Sequence, residues 1–259
     1  MSLDLNKQKV LDLKKAKGID GQFAQVVFCV DYSGSMGSLY RSGAVQKVLE
    51  RLFPVAMAFD DNQSMDFILF QNDYRKCPEV TPANVVDYVN KIALKQWYDM
   101  GGTNYAPSLR EVILPMVTDI KEESYTETET STTGWFMWFG QKTETHSVVK
   151  TREIAKMKKV EYPVYVIFLT DGDCSDKSDT YKVVREISHT GAFIQFIGIG
   201  GDSFNTLQKL DDLDKRELDN ADFFAVYDID GISDDELYAK LMTEFPAWIP
   251  QAKSKWFIE

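Results

Sequence analysis

The groups in this chain best suited to chemistry are oxygen donors that are far apart in sequence. Asp31, Ser33 and Ser35 place one carboxylate and two hydroxyls in a single short segment, Thr103 follows a pair of glycines, and Asp171 adds a second carboxylate. Small hard cations prefer such oxygen ligands, whereas zinc and copper favour sulfur and imidazole. We therefore predict an incomplete octahedral site for Mg²⁺ at these residues, with Mn²⁺ and Ca²⁺ as alternative ions.

Two apolar runs must bring the carboxylates together. Residues 24–30 end directly before Asp31, and residues 164–169 end just before Asp171; both runs are typical of parallel strands buried on both faces. In a doubly wound sheet, ligands bind beyond the carboxyl ends of the strands, where the strand order reverses. If the two strands are neighbours, Asp171 faces Asp31, and the glycine turn before Thr103 is flexible enough to reach the same crevice.

The rest of the chain alternates between strand and helix patterns. Further strands are predicted at 65–70, 192–199 and 223–227, and helices at about 43–59, 81–94, 106–118, 177–189, 203–213 and 233–245. This alternation predicts an α/β fold with a doubly wound, mostly parallel sheet and helices on both faces. We expect an N-terminal arm at 1–20 and one domain at 21–259.

Residues 121–150 interrupt this alternation, because they are much longer than a usual connection. Two Thr/Glu-rich arms flank an aromatic tip, which suggests a β-hairpin inserted in the domain. The tip contains Trp135, Phe136, Trp138 and Phe139. An exposed patch of this size usually marks a contact with a partner or a second copy; burial against its own domain and membrane insertion are the alternatives.

The composition narrows the class of partner and the compartment. A formal charge of -11 disfavours binding to nucleic acid or to an anionic membrane. The 3 cysteines form no complete disulfide framework, and the chain shows neither a secretory signal nor an apolar run long enough to span a membrane. We therefore expect a cytoplasmic protein.

Three segments, DYSGS at 31–35, GGT at 101–103 and TDG at 170–172, resemble the metal-ion-dependent adhesion site of von Willebrand factor A (vWA) domains. The resemblance covers about residues 20–250. It implies that the three hydroxyls touch the metal, that the two aspartates hold it directly or through waters, and that a Glu or Asp of a protein partner completes the shell. GGTNYAP at 101–107 and ISDDELYAKLMTEFPAW at 232–248 also resemble the vWA proteins of bacterial tellurium-resistance and stress clusters.

The predicted function is a noncatalytic, metal-dependent protein-interaction module without catalytic residues or an organic cofactor. A role in tellurite or stress resistance is implied by the resemblance alone. One alternative is a Mg²⁺-dependent phosphohydrolase that uses the same carboxylates, although no nucleophile, base or phosphate-binding lysine stands near the loop. The other is a structural scaffold that docks through the aromatic hairpin.

Several polar residues near these motifs have simpler interpretations. Asp173 and Asp176 could bind a second cation, but a solvated loop that caps the next helix is the preferred interpretation. Tyr32, Tyr40 and Tyr105 are expected to pack at the rim of the site without specific contacts.

Overall fold

The computed structural model describes residues 3–133, 142–200 and 203–259. They divide into a larger unit, made of the chain before Thr118 and after Lys156, and a smaller unit, Thr118–Lys156. The aromatic residues of the predicted hairpin tip lie outside the described residues, so their predicted contact with a partner stays a prediction.

Six strands of the larger unit form one sheet, and two further strands form a separate sheet. In chain order the strands are β1 Gln25–Asp31, β2 Met65–Phe70, β3 Tyr74–Val80, β4 Thr118–Thr133, β5 Lys142–Met157, β6 Val164–Thr170, β7 Ala192–Ile199 and β8 Ala221–Val226. The large sheet has the order β3-β2-β1-β6-β7-β8, in which only β3 is antiparallel to its neighbour. The predicted mostly parallel, doubly wound sheet is confirmed, and β1 and β6 are neighbours.

The helices cover both faces of this sheet. They are α1 Leu3–Ala16, α2 Gly37–Arg41, α3 Ala44–Phe59, α4 Tyr88–Lys91, α5 Ala106–Ser108, α6 Leu114–Val117, α7 Lys177–Ile187, α8 Asn205–Asp211, α9 Asp234–Leu241 and α10 Phe245–Ser254. On one face, Tyr165 of β6 stacks on Phe245 of α10 at 4.4 Å between ring centroids. On the other, Phe168 contacts Tyr105, which precedes α5, at 5.0 Å. The core therefore lies on both sides of β6.

Three local predictions were wrong for identifiable reasons. The helix expected at 81–94 is reduced to α4, because Asp87 adopts a left-handed φ of 59° that interrupts helical geometry. The strand β3 was missed, since it is a largely exposed edge strand that contains Pro78. The last predicted helix ends early, and Pro246 lies in the first turn of α10, where its missing N–H costs nothing.

The helix predicted after Thr103 is present in three successive parts. A π-helical turn at Leu109–Ile113 separates α5 from α6. Such turns are rare and are frequently found at functional sites. Here the π turn lies one helical turn beyond the segment that carries Thr103.

The smaller unit contains β4 and β5, which pair as a two-stranded sheet. Both strands have 16 residues and extend beyond the predicted arms at 121–150. The pairing agrees with the strand pair expected from the sequence. Among the described helices, none combines the length and apolar character needed to cross a membrane.

Candidate functional site

The five predicted metal ligands come from three places in the chain. Asp31, Ser33 and Ser35 lie at the end of β1 and in the loop after it, Asp171 directly follows β6, and Thr103 lies in the segment before α5. Asp31 is the last residue of β1 and is fully buried, and Ser33 is 2% exposed. Ser35 is exposed, while Thr103 and Asp171 are half-buried. The site therefore runs from the core at Asp31 to the surface at Ser35.

A line of short contacts joins four of the five residues. The backbone N–H of Ser33 donates to Oδ1 of Asp31 at 2.7 Å. The hydroxyls of Ser33 and Ser35 are 3.0 Å apart, and the Ser35 hydroxyl donates to Oδ1 of Asp171 at 2.9 Å. Parallel pairing of β1 with β6 thus brings together groups that are more than a hundred residues apart in sequence.

The Thr103 segment joins the other two loops through its backbone. Gly34 donates its N–H to the carbonyl of Gly101 at 3.0 Å, and Ser175 donates its N–H to the carbonyl of Thr103 at 2.8 Å. The Thr103 hydroxyl itself makes no hydrogen bond to any described residue. It lies on a segment that is hydrogen-bonded to the loops after β1 and β6.

The glycines before Thr103 have a steric role. A Cβ on Gly101 would lie 2.1 Å from Oε1 of Gln71, and a Cβ on Gly102 would lie 2.5 Å from Oδ1 of Asn72. Gln71 is 7% exposed, and its Oε1 is buried without a hydrogen-bond partner among the described residues. Any larger residue at Gly101 would therefore push against a side chain with little room to move.

The Asp31 carboxylate is held by donors on both oxygens. Its Oδ2 accepts the hydroxyl of Thr170 at 2.6 Å, and its Oδ1 accepts the N–H of Ser33. The pKa of Asp31 is raised to about 6, and burial is the main cause. The nearby charge of Asp171 also raises the pKa, whereas the hydrogen bonds from Thr170 and Ser33 lower it. A buried carboxylate in this setting gains from any positive charge placed beside it.

Four further residues position the site: Tyr40, Tyr105, Thr170 and Asp176. The sequence analysis gave none of them this role. Tyr105 donates its hydroxyl to Thr170 at 3.2 Å and to the carbonyl of Gly172 at 2.5 Å, and Tyr40 donates to the carbonyl of Asp31 at 2.8 Å. The expectation of unspecific rim packing was therefore wrong for these two tyrosines. Short polar residues and aromatics beside a motif carry no sequence signal that separates them from ordinary packing.

Asp176 is the fourth positioning residue. Its carboxylate accepts the N–H groups of Tyr105 at 3.0 Å and Ala106 at 2.8 Å. It thereby caps the start of α5, which precedes it in the chain. The expected cap of the next helix, α7, is not formed by this side chain. Asp173 accepts the N–H of Thr206 at 3.1 Å and the Lys177 ammonium at 2.5 Å. These contacts give both aspartates structural roles.

The rim of the site is aromatic and partly basic. The ring of Tyr32 lies 6.5 Å from Trp97, and the guanidinium of Arg75 lies 5.1 Å above the Trp97 ring. Tyr98 beside it is 88% exposed. Aromatic and arginine side chains are enriched at protein interfaces, so the rim has the composition of a docking surface.

The donor set and its spacing fit a small hard cation. Adjacent ligands of an octahedral ion with bonds of 2.0–2.1 Å lie about 2.9 Å apart. The pairs Ser33–Ser35 and Ser35–Asp171 show separations of 3.0 Å and 2.9 Å. The donors are all oxygens, without thiolate or imidazole, and hard cations prefer this kind of site.

Comparison with known proteins gives one family and one curated relative. Residues 23–258 match the vWA-TerF-like family model, described as the vWA found in the TerF C terminus. The uncharacterized protein YcbR of Bacillus subtilis (strain 168) is 30% identical over 256 residues, which is 98% of this chain and 89% of that protein.

Solved structures share the fold. A von Willebrand factor type A protein from Catenulispora acidiphila has a TM-score of 0.51 at 16% identity and covers 85% of this chain. Proximal thread matrix protein 1 of the mussel byssus has a TM-score of 0.52 at 15% identity, also over 85% of this chain. The present chain spans less than half of each, 43% and 46% respectively. At these identities the likeness shows the fold alone.

Proposed function

Because this chain belongs to the vWA-TerF-like family, we propose that it is a noncatalytic protein-interaction module that depends on a divalent metal ion. The ion would be held by Asp31, Ser33, Ser35, Thr103 and Asp171, and Mg²⁺ is the ion that the donor set favours. When bound, it would supply positive charge for a Glu or Asp carboxylate of a protein partner.

The observation that supports this proposal most strongly is the convergence of three oxygens from two distant segments. The hydroxyls of Ser33 and Ser35 are 3.0 Å apart, and the Ser35 hydroxyl lies 2.9 Å from Oδ1 of Asp171, which is 136 residues further along the chain. Hydrogen bonds from one hydroxyl to the next hold these oxygens near that spacing, so little rearrangement would be needed on binding.

Asp31 has a different role in this proposal. Both of its oxygens accept protein donors, from Ser33 and Thr170, so Asp31 would act on the ion chiefly through water. The direct ligands would then be mostly neutral hydroxyls, which do not cancel the charge of the ion. A partner carboxylate would therefore still be attracted to the remaining position.

The proposal also covers the extent of the module, its partner and its biological setting. We assign residues 21–259 to the module, with the insertion at about 121–150 and an N-terminal arm at 1–20. The resemblance to the vWA proteins of bacterial tellurium-resistance and stress clusters supports a place in such a system, and we place the protein in the cytoplasm as part of this proposal. The aromatic tip at 135–139 would offer a second contact with the partner.

Calorimetric titration with Mg²⁺ tests the metal site. The wild-type chain should bind Mg²⁺, and the double variant Asp31→Ala, Ser33→Ala should lose this binding. Ser38→Ala is a matched control, because Ser38 is an exposed serine just beyond the same loop, and it should bind like the wild type. Equal Mg²⁺ binding by the wild type and the double variant would refute the site.

A second measurement separates the module from an enzyme. The purified chain should hydrolyse none of a panel of phosphoesters in the presence of Mg²⁺ or Mn²⁺. Turnover that disappears in Asp31→Ala would overturn the noncatalytic interpretation while leaving the metal site in place.

A further inference from the structure

A second group of carboxylates lies away from the candidate metal site, near β8, an edge strand of the large sheet. Asp222 is in β8, Asp211 ends α8, and Glu244 directly precedes α10. One carboxylate oxygen from each lies within 4.8 Å of the others. Two strands, β6 and β7, separate β8 from β1, and this cluster shares no residue with the site at Asp31.

The centre of the cluster is buried and lacks partners. Asp222 is 7% exposed, and its Oδ2 has no hydrogen-bond partner among the described residues. A buried carboxylate oxygen without a partner is costly, and native structures rarely retain one unless an ion or water satisfies it.

An uncharged side chain that does not belong to the cluster adds an independent sign of a ligand. Gln195 of β7 pairs with Asp222 across the parallel strands, so their side chains lie on the same face of the sheet. Gln195 is fully buried, and neither its Oε1 nor its Nε2 has a partner with hydrogen-bond geometry among the described residues. Its amide nevertheless lies close enough to lower the pKa of Asp222. A fully buried amide without a hydrogen-bond partner among the described residues therefore stands beside Asp222.

The charge of the cluster is only partly balanced. Arg216 is a cation close enough to act on both Asp211 and Glu244, but its guanidinium also forms an ion pair with Asp219 at 2.6 Å, and its Nη1 is buried without a partner among the described residues. One guanidinium shared in this way leaves an excess of negative charge that a divalent cation would neutralise.

From this geometry we propose that Asp211, Asp222 and Glu244 form a second cation site beside the amide of Gln195, and that its ion is Ca²⁺. Ca²⁺ takes several carboxylate and amide oxygens at 2.3–2.6 Å, so two of its ligands can be up to about 5 Å apart. The three carboxylate oxygens lie within that limit. Mg²⁺ with its shorter bonds spans only about 4 Å and usually takes fewer protein carboxylates.

Calcium titration of the full chain tests this site, with thermal unfolding as a second readout. Asp222→Asn keeps the size of the side chain but removes its charge, so Ca²⁺ affinity should fall by about tenfold or more. The rise of the melting temperature that Ca²⁺ causes in the wild type should disappear. Glu244→Gln, at a half-buried position, should show the same loss if Asp222→Asn does not fold.

Two controls make the result specific to this cluster. Asp212→Asn removes the same charge from an exposed neighbour of Asp211, and it should bind Ca²⁺ like the wild type. Asp31→Ala with Ser33→Ala should lose Mg²⁺ binding but keep this Ca²⁺ site, so failure of either site can be recognised separately. Ca²⁺ binding and melting behaviour in Asp222→Asn and Glu244→Gln that match the wild type would overturn the proposal. So would the absence of Ca²⁺ binding in the Asp31→Ala, Ser33→Ala double variant.

Discussion

Thr170 is the residue on which the orientation of the Asp31 carboxylate most depends. Its hydroxyl donates to Asp31 at 2.6 Å and in turn accepts the hydroxyl of Tyr105 at 3.2 Å. Thr170 is fully buried, so water could not easily replace its hydroxyl as the donor to Asp31. Groups that orient a ligand in this way contribute to metal affinity although they do not touch the ion.

We predict that Thr170→Val weakens Mg²⁺ binding by about 10- to 100-fold, because valine keeps the volume but leaves one Asp31 oxygen without its donor. Calorimetric titration measures the loss. Thr206→Val is the matched control: it also replaces a buried threonine, but one whose hydroxyl has no hydrogen-bond partner among the described residues. Unchanged affinity in Thr170→Val would show that Asp31 needs no orienting donor.

Gly101 sets how closely the Thr103 loop can approach. A Cβ there would lie 2.1 Å from Oε1 of Gln71, so Gly101→Ala should displace this loop and weaken Mg²⁺ binding about tenfold. The double variant Gly101→Ala, Gln71→Ala removes the obstructing side chain and should recover most of the affinity. Gly21→Ala, where a Cβ would meet nothing within 4 Å, should have no effect. Failure of the double variant to recover affinity would contradict the steric explanation.

The residues that could be predicted are those whose chemistry is local to a motif. Asp31, Ser33 and Ser35 stand in one segment, and the fold brings Asp171 to them because parallel strands end at the same edge. Thr170 and Asp176 could not be assigned in this way, since their partners are distant in sequence. Asp176 caps a helix that begins 70 residues before it.

At the scale of elements, α1 is attached to the larger unit by a buried lysine. Lys14 is 2% exposed, and its ammonium donates to the carbonyls of Gln22 at 2.8 Å and Ala58 at 2.7 Å. It also lies 4.1 Å above the ring of Phe59 in α3. Burial lowers the pKa of Lys14 from 10.5 to about 8. The predicted N-terminal arm contains several lysines, and the sequence does not indicate that one of them is buried.

The lowered pKa of Lys14 makes stability depend on pH in a defined direction. Between pH 8 and 10.5 the unfolded chain binds more protons at this residue than the folded chain does, so raising the pH favours folding. The cost of burying the charge is fully present below pH 8 and is relieved as the pH rises towards 10.5.

Chemical denaturation of the wild type and of Lys14→Met tests this dependence. The difference in unfolding free energy should shift in favour of the wild type by about 1–2 kcal/mol between about pH 7 and pH 9.5. Lys15→Met, at an exposed neighbouring position, should show no such shift. A constant difference between wild type and Lys14→Met across this range would mean that Lys14 titrates normally.

Elements with a strong apolar period were predictable, whereas those defined by context were not. The strand β7 matches its predicted bounds at 192–199, because every residue in it is buried. The edge strand β3 has mostly exposed side chains and no such period. The helix α1 is nearly as polar, and it depends on Lys14 and on packing against α3 for its stability.

At the scale of the whole molecule, the smaller unit interrupts the larger one between two positions that are neighbours in space. Lys158 donates its N–H to the carbonyl of Val117 at 3.0 Å, so the chain leaves the larger unit and returns to it at the same place. Insertions with closely spaced ends are tolerated because the host fold does not depend on them. The long connection at 121–150 predicted an insertion, although the sequence alone could not show that its ends meet.

Replacing Thr118–Lys156 by a short Gly/Ser link should therefore leave the larger unit folded, because Val117 and Lys158 already lie within one hydrogen bond. Calorimetry should find Mg²⁺ binding within about twofold of the wild type, since all proposed ligands lie outside the removed segment. Affinity capture of partners from the native host, with and without chelator, then separates two roles. Partners that need the metal but not the insertion would bind at the Asp31 site; partners lost with the insertion would bind through it. Loss of Mg²⁺ binding in the shortened chain would instead mean that the insertion supports the metal site itself.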